Sequence, residues 1–208
     1  MQSIRYKFIE LFILFIVIPI SFVFNYSPIL KLSIGVLSFI YIIYILFKIE
    51  NITFKINKNL PWKFFWKSTF VKLIIIALVT SAFVWFTDRE SLFVVILNKP
   101  KLWVLILLFY SLFSVYPQEL IYRTFFFKRY KSLIQNETLF ILTNALIFSL
   151  AHLFFENVLV LLLTFIGGVL FAFTFKNTKS TFLVSIEHAI YGCWLFTVGM
   201  GTMLGFPS

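Results

Sequence analysis

Long apolar stretches separated by short polar ones dominate the hydropathy pattern of the chain. Most of these stretches are long enough for a membrane-spanning helix, which needs about 20 residues. A transmembrane β-barrel would instead show short segments of alternating hydrophobicity. The pattern therefore predicts an all-α fold, a polytopic transmembrane helical bundle with about seven spans. The predicted spans cover residues 8–24, 29–47, 70–86, 102 onward, 138–155, 158–175 and 181–198.

The composition supports the membrane class and excludes several others. Hydrophobic residues make up 61% and charged residues 12% of the chain, against roughly 45–50% and 25% in a soluble domain. We expect one membrane domain over residues 1–208, with the lipid bilayer as its surroundings. The single cysteine, Cys193, excludes a disulfide framework and a multi-cysteine metal site.

The net charge of +10 indicates membrane orientation rather than nucleic acid binding. With seven spans, one face of the membrane receives thirteen Lys and Arg residues and the other receives four. The positive-inside rule then predicts a cytoplasmic N-terminus and a C-terminus outside. The first run is long and no small-residue cleavage site follows it, so we expect an uncleaved span. The bias to Phe, Ile, Lys and Asn favours a bacterial inner membrane protein.

Candidate chemistry is concentrated in residues 116–130, which read YPQELIYRTFFFKRY. Ionisable side chains at membrane depth are costly, and so they are functional candidates by default. Glu119 and Arg123 are four residues apart, which places them on one face of a helix where they can pair. Two interpretations stay open at this point. The pair, with Gln118 beside it, belongs to a functional site, or it is a buried structural ion pair.

Two further apolar runs carry the only histidines of the chain, His152 and His188, the latter directly after Glu187. If a helical hairpin turns near residues 132–137, Glu119 and His152 lie at similar depth and can touch. His188 is harder to place at that depth. A carboxylate and two imidazoles in a low-dielectric cavity are suited to activating water, because burial strengthens a carboxylate as a general base. Imidazoles can also ligate zinc or stabilise an oxyanion.

These motifs resemble the CPBP family, the CAAX protease and bacteriocin-processing membrane proteins, also called type II CAAX prenyl proteases or the Abi group. That family carries Glu-Glu-x-x-x-Arg, Phe-x-x-x-His and His-x-x-x-Asn or Asp on successive transmembrane helices. In this chain residues 118–123 (QELIYR) are similar to the first motif, residues 148–152 (FSLAH) match the second, and His188 opens the third. The resemblance covers residues 100–201, and it implies an intramembrane endopeptidase that hydrolyses a peptide bond near the membrane face.

The resemblance also implies roles for the site residues. Glu119 is the expected base or base-orienting carboxylate, and His152 is its partner in activating water. His188 would stabilise the oxyanion or ligate a metal, and Arg123 would position Glu119. The family mechanism leaves the metal open. If zinc takes part, the expected ligands are His152, His188 and Glu119, and the substrate is a peptide or a membrane protein.

Two positions depart from the family pattern. Gln118 stands where the family has its first Glu, and Gly192 stands where it has Asn or Asp. Gln cannot accept a proton as a base, so Glu119 or Glu187 must supply that function in an active enzyme. The alternative is a catalytically silent relative that acts as an immunity factor or membrane scaffold. A small transporter using the same buried charges ranks below both, because the sequence has no internal repeat.

Overall fold

The computed structural model describes residues 1–52 and 60–205. Regular secondary structure in this part of the chain is entirely helical, which confirms the predicted all-α class. Two of the thirteen basic residues predicted on the cytoplasmic face, Lys55 and Lys58, lie outside the described residues. We number the helices in chain order. They are α1 (residues 4–21), α2 (Pro28–Ile49), α3 (Trp62–Thr87), α4 (Val94–Asn98), α5 (Pro100–Tyr130), α6 (Glu137–Leu150), α7 (Val158–Thr178) and α8 (Thr181–Val198).

Six of the helical segments in the described residues are long and apolar enough to cross a membrane. They are α2, α3, α5, α7, α8 and α6 extended through the turn that ends at Phe155. Helix α1 is not among them, and it carries Arg5, Lys7 and Glu10. About seven spans is compatible with this fold when α1 is included.

Local sequence explains where several helices begin and end. Helices α2 and α5 begin at Pro28 and Pro100. Proline fits the first helical turn because a backbone N–H there has no acceptor within the helix, so its absence costs no hydrogen bond. The side chain of Asn136 caps α6 by accepting a hydrogen bond from the Leu139 backbone N–H at 2.9 Å. Gly199, with φ of +109°, ends α8 in the left-handed conformation that glycine tolerates best.

Helix α5 contains two wide π-helical turns, Tyr110–Val115 and Leu120–Phe125. They flank one ordinary turn, Tyr116–Glu119, which holds Pro117. A proline inside an apolar run predicts a bend or a fresh helix start at Pro117. No fresh start occurs, because the helix runs through this position. Wide turns of this kind interrupt the regular hydrogen-bond ladder, and they occur frequently at functional sites.

The chain divides into two compact units, each built from two separate stretches of sequence, and each is described by itself. The described part of the first unit comprises residues 1–52 and 120–173. Phe15 of α1 lies at its centre and is 1% exposed. Its ring contacts Tyr122, Phe125, Phe126 and Tyr130 of α5, with centroids 5.5–6.2 Å apart. This aromatic cluster packs α1 against the C-terminal part of α5.

A buried ionic cluster lies beside these rings. Arg129 is completely buried, and its Nε donates to Glu10 Oε2 at 2.7 Å. Its Nη1 donates to Glu50 Oε1 at 2.8 Å, and its Nη2 donates to the Met1 carbonyl at 2.7 Å. The Tyr130 hydroxyl adds a hydrogen bond to Glu10 Oε2. Arg129 is one of the thirteen basic residues predicted on the cytoplasmic face, and the fold places it in ion pairs with two carboxylates.

The described part of the second unit comprises residues 60–119 and 174–205, and α8 is its central helix. The indole N–H of Trp194 donates to Thr80 of α3 at 2.9 Å. Thr197 accepts from the indole N–H of Trp103 of α5 at 3.0 Å. Apolar packing of Phe196 against α4 and α5 completes this arrangement. Helix α8 is therefore held on two sides, which positions the histidine near its middle.

Candidate active site

Glu119 and His188 form the central pair of the candidate site. The His188 Nδ1 lies 2.7 Å from Glu119 Oε1, and the two residues are 6% and 0% exposed. A hydrogen bond this short between an imidazole and a carboxylate fixes the orientation of both groups. Water is largely excluded around the pair, so its electrostatic interactions are stronger than in solvent. The pair can take up and release a proton, which is the chemistry of a general base.

The surrounding elements explain how these two side chains meet. Glu119 is the last residue of the turn Tyr116–Glu119, directly before the wide turn of Leu120–Phe125. His188 lies near the middle of α8, which Ser180 caps and Gly199 terminates. The sequence left His188 apart in depth from the other candidates. The fold brings it to Glu119, although 69 residues separate them in the chain.

Gln118 lies next to this pair in sequence and is partly buried. Its Nε2 donates to the Ser114 hydroxyl at 2.8 Å. Its Oε1 is buried and has no hydrogen-bond partner among the described residues. An unsatisfied buried carbonyl oxygen is unfavourable unless a water or ligand donates to it. Gln118 can therefore accept a hydrogen bond here, although it cannot act as a base.

Glu187 belongs to a different cluster within the same unit. Lys72 Nζ lies 2.7 Å from Glu187 Oε1 and 3.3 Å from the Thr174 hydroxyl. The Tyr191 hydroxyl donates to the same carboxylate oxygen at 2.9 Å. Lys72 belongs to this cluster, although none of the three motifs contains it. Its position inside an apolar run was the available signal, because an intramembrane charge requires a partner.

Arg123 is completely buried in the first unit. Its Nη1 donates to Asn144 Oδ1 at 2.7 Å and its Nη2 to the Gly168 carbonyl at 3.4 Å. Asn144 Nδ2 in turn donates to the Tyr122 carbonyl at 2.7 Å. The guanidinium therefore ties α5 to α6 and α7. The predicted pairing of Arg123 with Glu119 joins residues of the two units and stays a prediction.

His152 also lies in the first unit, in the turn that follows the end of α6 at Leu150. Its Nδ1 is 2.8 Å from the Phe148 carbonyl, and its ring contacts Phe148 edge-on at 4.9 Å. The ring stacks on Phe155 at 6.1 Å. These contacts fix the ring orientation. The predicted approach of His152 to Glu119 joins residues of the two units and stays a prediction.

Gly192 lies one helical turn after His188 on α8. A Cβ added at this glycine would overlap the hydroxyl and ring of Tyr110. Tyr110 also contacts His188, with ring centroids 6.0 Å apart and ring planes at 80°. Tyr110 lies outside all three motifs, so motif spacing does not single it out. Its ring makes Gly192 the residue that fits at this position.

A zinc ion takes three or four protein ligands. No three His, Cys, Asp or Glu side chains in the described ranges are placed to hold one ion together. The described residues therefore do not fit a zinc site as they stand. Zinc ligation by His152, His188 and Glu119 stays a prediction, and metal content of the purified protein is its direct measurement.

Comparison with known families agrees with the motifs. The family model described as "Type II CAAX prenyl endopeptidase Rce1-like" matches residues 100–205, just over half of the chain. The chain belongs to this Rce1-like family. The matched region contains all six predicted site residues and Tyr110, so the resemblance inferred from the motifs is confirmed for the family.

Membership places the protein among multi-pass membrane proteins of a protease family. Neither the curated proteins nor the solved structures that were compared include a match. The Rce1-like match begins at residue 100, so helices α1 to α4 lie outside the family region. The candidate base and its histidine lie inside it.

Proposed function

We propose that the protein is an intramembrane endopeptidase that hydrolyses a peptide bond near the membrane face. The observation that carries this proposal is the buried hydrogen bond between Glu119 and His188 inside the Rce1-like region. A carboxylate paired with an imidazole, shielded from bulk solvent, supports activation of a water molecule. The substrate is a peptide or membrane protein presented at the bilayer, with CAAX-type peptides as one class.

Glu119, rather than Glu187, is the proposed base. Glu187 already accepts from an ammonium and a phenol through one oxygen, at 2.7 and 2.9 Å. These two donors hold the carboxylate in a buried ion pair, which is a structural arrangement. Glu119 has an imidazole as its neighbour, and this neighbour can itself carry a proton. We therefore assign Glu187 to holding Lys72 and α8 in place.

The proposed reaction uses these groups in one sequence. Glu119 takes a proton from water while the water oxygen attacks the carbonyl carbon of the scissile bond. His188 keeps the carboxylate oriented and shares the proton. The proton then passes to the amide nitrogen, and the carbon–nitrogen bond breaks to release an amine and a carboxylate. Gln118 orients the water through its unsatisfied carbonyl oxygen. His152 and Arg123 keep their predicted roles as activating partner and positioning residue.

The test is cleavage by the purified full-length protein in lipid vesicles. The substrates are a prenylated peptide ending in a CAAX sequence and a library of membrane-adjacent peptides. We expect Glu119→Gln to lower kcat by about 10²–10⁴-fold, the usual loss when a general base is removed. His188→Gln should lower it in the same range. Glu90→Gln is the matched control, since Glu90 is an exposed carboxylate in the turn after α3.

A second comparison separates the enzyme from a silent relative. Gln118→Glu restores the family residue and is expected to keep or raise the activity of the wild type. If the wild type cleaves nothing in the library while Gln118→Glu gains cleavage, the enzyme proposal is wrong. That result would favour the immunity or scaffold alternative. Wild-type activity that survives Glu119→Gln but not Glu187→Gln would move the base to Glu187.

A further inference from the structure

Tyr110 occupies the position of a side chain that α8 lacks. Its hydroxyl and ring fill the space in which a Cβ of residue 192 would lie. Residue 192 follows His188 by four positions, and residues four apart share one face of a helix. The Tyr110 hydroxyl therefore lies on the His188 face of α8, about one turn or 5.4 Å along the helix axis. It reaches this place from α5, the helix that also carries Glu119.

The Tyr110 hydroxyl is available to donate a hydrogen bond. Tyr110 is partly buried, and its ring packs against Phe196 with centroids 4.8 Å apart. Among the described residues, no hydrogen bond involves its hydroxyl, whereas the Tyr191 hydroxyl on α8 donates to Glu187. A buried tyrosine usually places its O–H against a partner. Beside a general base, the free donor can serve the reacting group of a bound substrate.

Peptide hydrolysis creates a need for such a donor. When the water oxygen attacks, the electron pair of the carbonyl bond moves onto the oxygen and forms an oxyanion. A preorganised O–H group stabilises that charge, and it acts most strongly where water is excluded. The electron pair returns to carbon when the carbon–nitrogen bond breaks. Gly192 has no side chain that could donate a hydrogen bond. The Tyr110 hydroxyl, which lies in the place of that side chain, can donate one.

We infer that Tyr110 is the oxyanion donor of this site, replacing the side chain absent at Gly192. This inference rests on the proposed endopeptidase function, and it assigns to that site a residue from α5 that the sequence motifs do not contain. A wide turn begins at Tyr110, and such turns occur frequently at functional sites.

The experiment compares Tyr110→Phe with the wild type in the vesicle cleavage assay. Phe keeps the ring contacts and removes the hydroxyl only. We expect kcat to fall by about 10²–10³-fold, the usual loss of one oxyanion donor, with KM nearly unchanged. Tyr116→Phe is the matched control, because this tyrosine lies on the same helix and is 40% exposed. Wild-type kcat in Tyr110→Phe overturns the inference.

An exchange of side chains tests the position itself. Gly192→Asn alone should lose folded protein, since its Cβ overlaps Tyr110. The double variant Tyr110→Ala with Gly192→Asn should fold, and its kcat should exceed that of Tyr110→Ala by at least about tenfold. No gain in the double variant counts against the assignment. Absence of cleavage by the wild type and by Gln118→Glu overturns the proposed function, whereas activity that ignores the Tyr110 hydroxyl overturns only this inference.

Discussion

At the scale of single residues, deeply placed charges are held by partners distant in sequence. Glu187 contacts Lys72, and Arg129 contacts Glu10 and Glu50. Removing a charge from water is unfavourable, and hydrogen-bonded partners of opposite sign offset much of that penalty. The Glu119–His188 pair differs because its imidazole is charged only when protonated. This difference makes it the pair suited to proton transfer.

The ionic cluster around Arg129 provides a prediction about stability. Glu10→Ala leaves the buried guanidinium without its main acceptor, and we expect a loss of about 3–5 kcal/mol in the free energy of unfolding. Reversible unfolding in mixed micelles measures it. Glu90→Ala removes an exposed carboxylate and should change little. Combining Glu10→Ala with Arg129→Met should recover part of the loss, because the unpaired charge is then gone. Equal stability of Glu10→Ala and Glu90→Ala would contradict this account.

At the scale of helices, close approach of α6 and α7 shapes the first unit. A Cβ at Gly168 would lie 2.9 Å from the Ala145 Cα and 3.2 Å from its carbonyl oxygen. Both are backbone atoms, so they cannot move aside as a flexible side chain would. Small residues at helix contacts permit such approach in membranes. The same contact presents the Gly168 carbonyl to Arg123.

Alanine substitutions at two glycines should therefore have different effects on the stability of the protein. Gly168→Ala forces α6 and α7 apart, and we expect it to destabilise the protein by about 1–3 kcal/mol. Gly35 has open space where its Cβ would be. Gly35→Ala should be neutral or stabilising, by up to about 1 kcal/mol, because alanine favours the helix. Unfolding midpoints of both variants in the same micelles measure the contrast. Similar midpoints for the two variants would show that the α6–α7 contact can relax.

At the scale of the whole molecule, the distribution of basic residues predicts how the chain crosses the membrane. An odd number of spans places the two termini on opposite sides of the membrane. The positive-inside rule then puts the N-terminus in the cytoplasm and the C-terminus outside. The outcome depends on α1, which is outside the set of six long apolar helices. Its Glu10 is neutralised by Arg129, which lowers the penalty of burying it.

Reporter fusions test this orientation. A reporter that is active only outside and one that is fluorescent only inside are fused to the C-terminus and inserted between residues 48 and 67. We expect the C-terminal fusion to report the outside and the loop insertion to report the cytoplasm. If both positions report the cytoplasm, the chain crosses the membrane an even number of times between the loop insertion and the C-terminus, and the predicted orientation of the C-terminus is wrong. Insertion between residues 87 and 93 is a control that should report the outside.

Much of the fold could be predicted from sequence, because membrane helices are encoded locally. Apolar runs located α2, α7 and α8 to within a few residues, and the turn between α5 and α6 falls at the predicted hairpin. The end of α6 differs. The apolar run continues to Phe155, whereas the α-helix ends at Leu150 and places His152 in a turn. Hydropathy does not distinguish a helix from an apolar turn.

The sequence by itself determined the membrane class, the helical content and the family, since each depends on local periodicity or on motif spacing. Tertiary structure decided which side chains meet. It joined Glu119 to His188, assigned Lys72 to Glu187, and placed Tyr110 against Gly192. Each of these contacts links helices far apart in the chain. Hydropathy and spacing describe one helix at a time, and the partner of a buried polar group depends on how the helices pack.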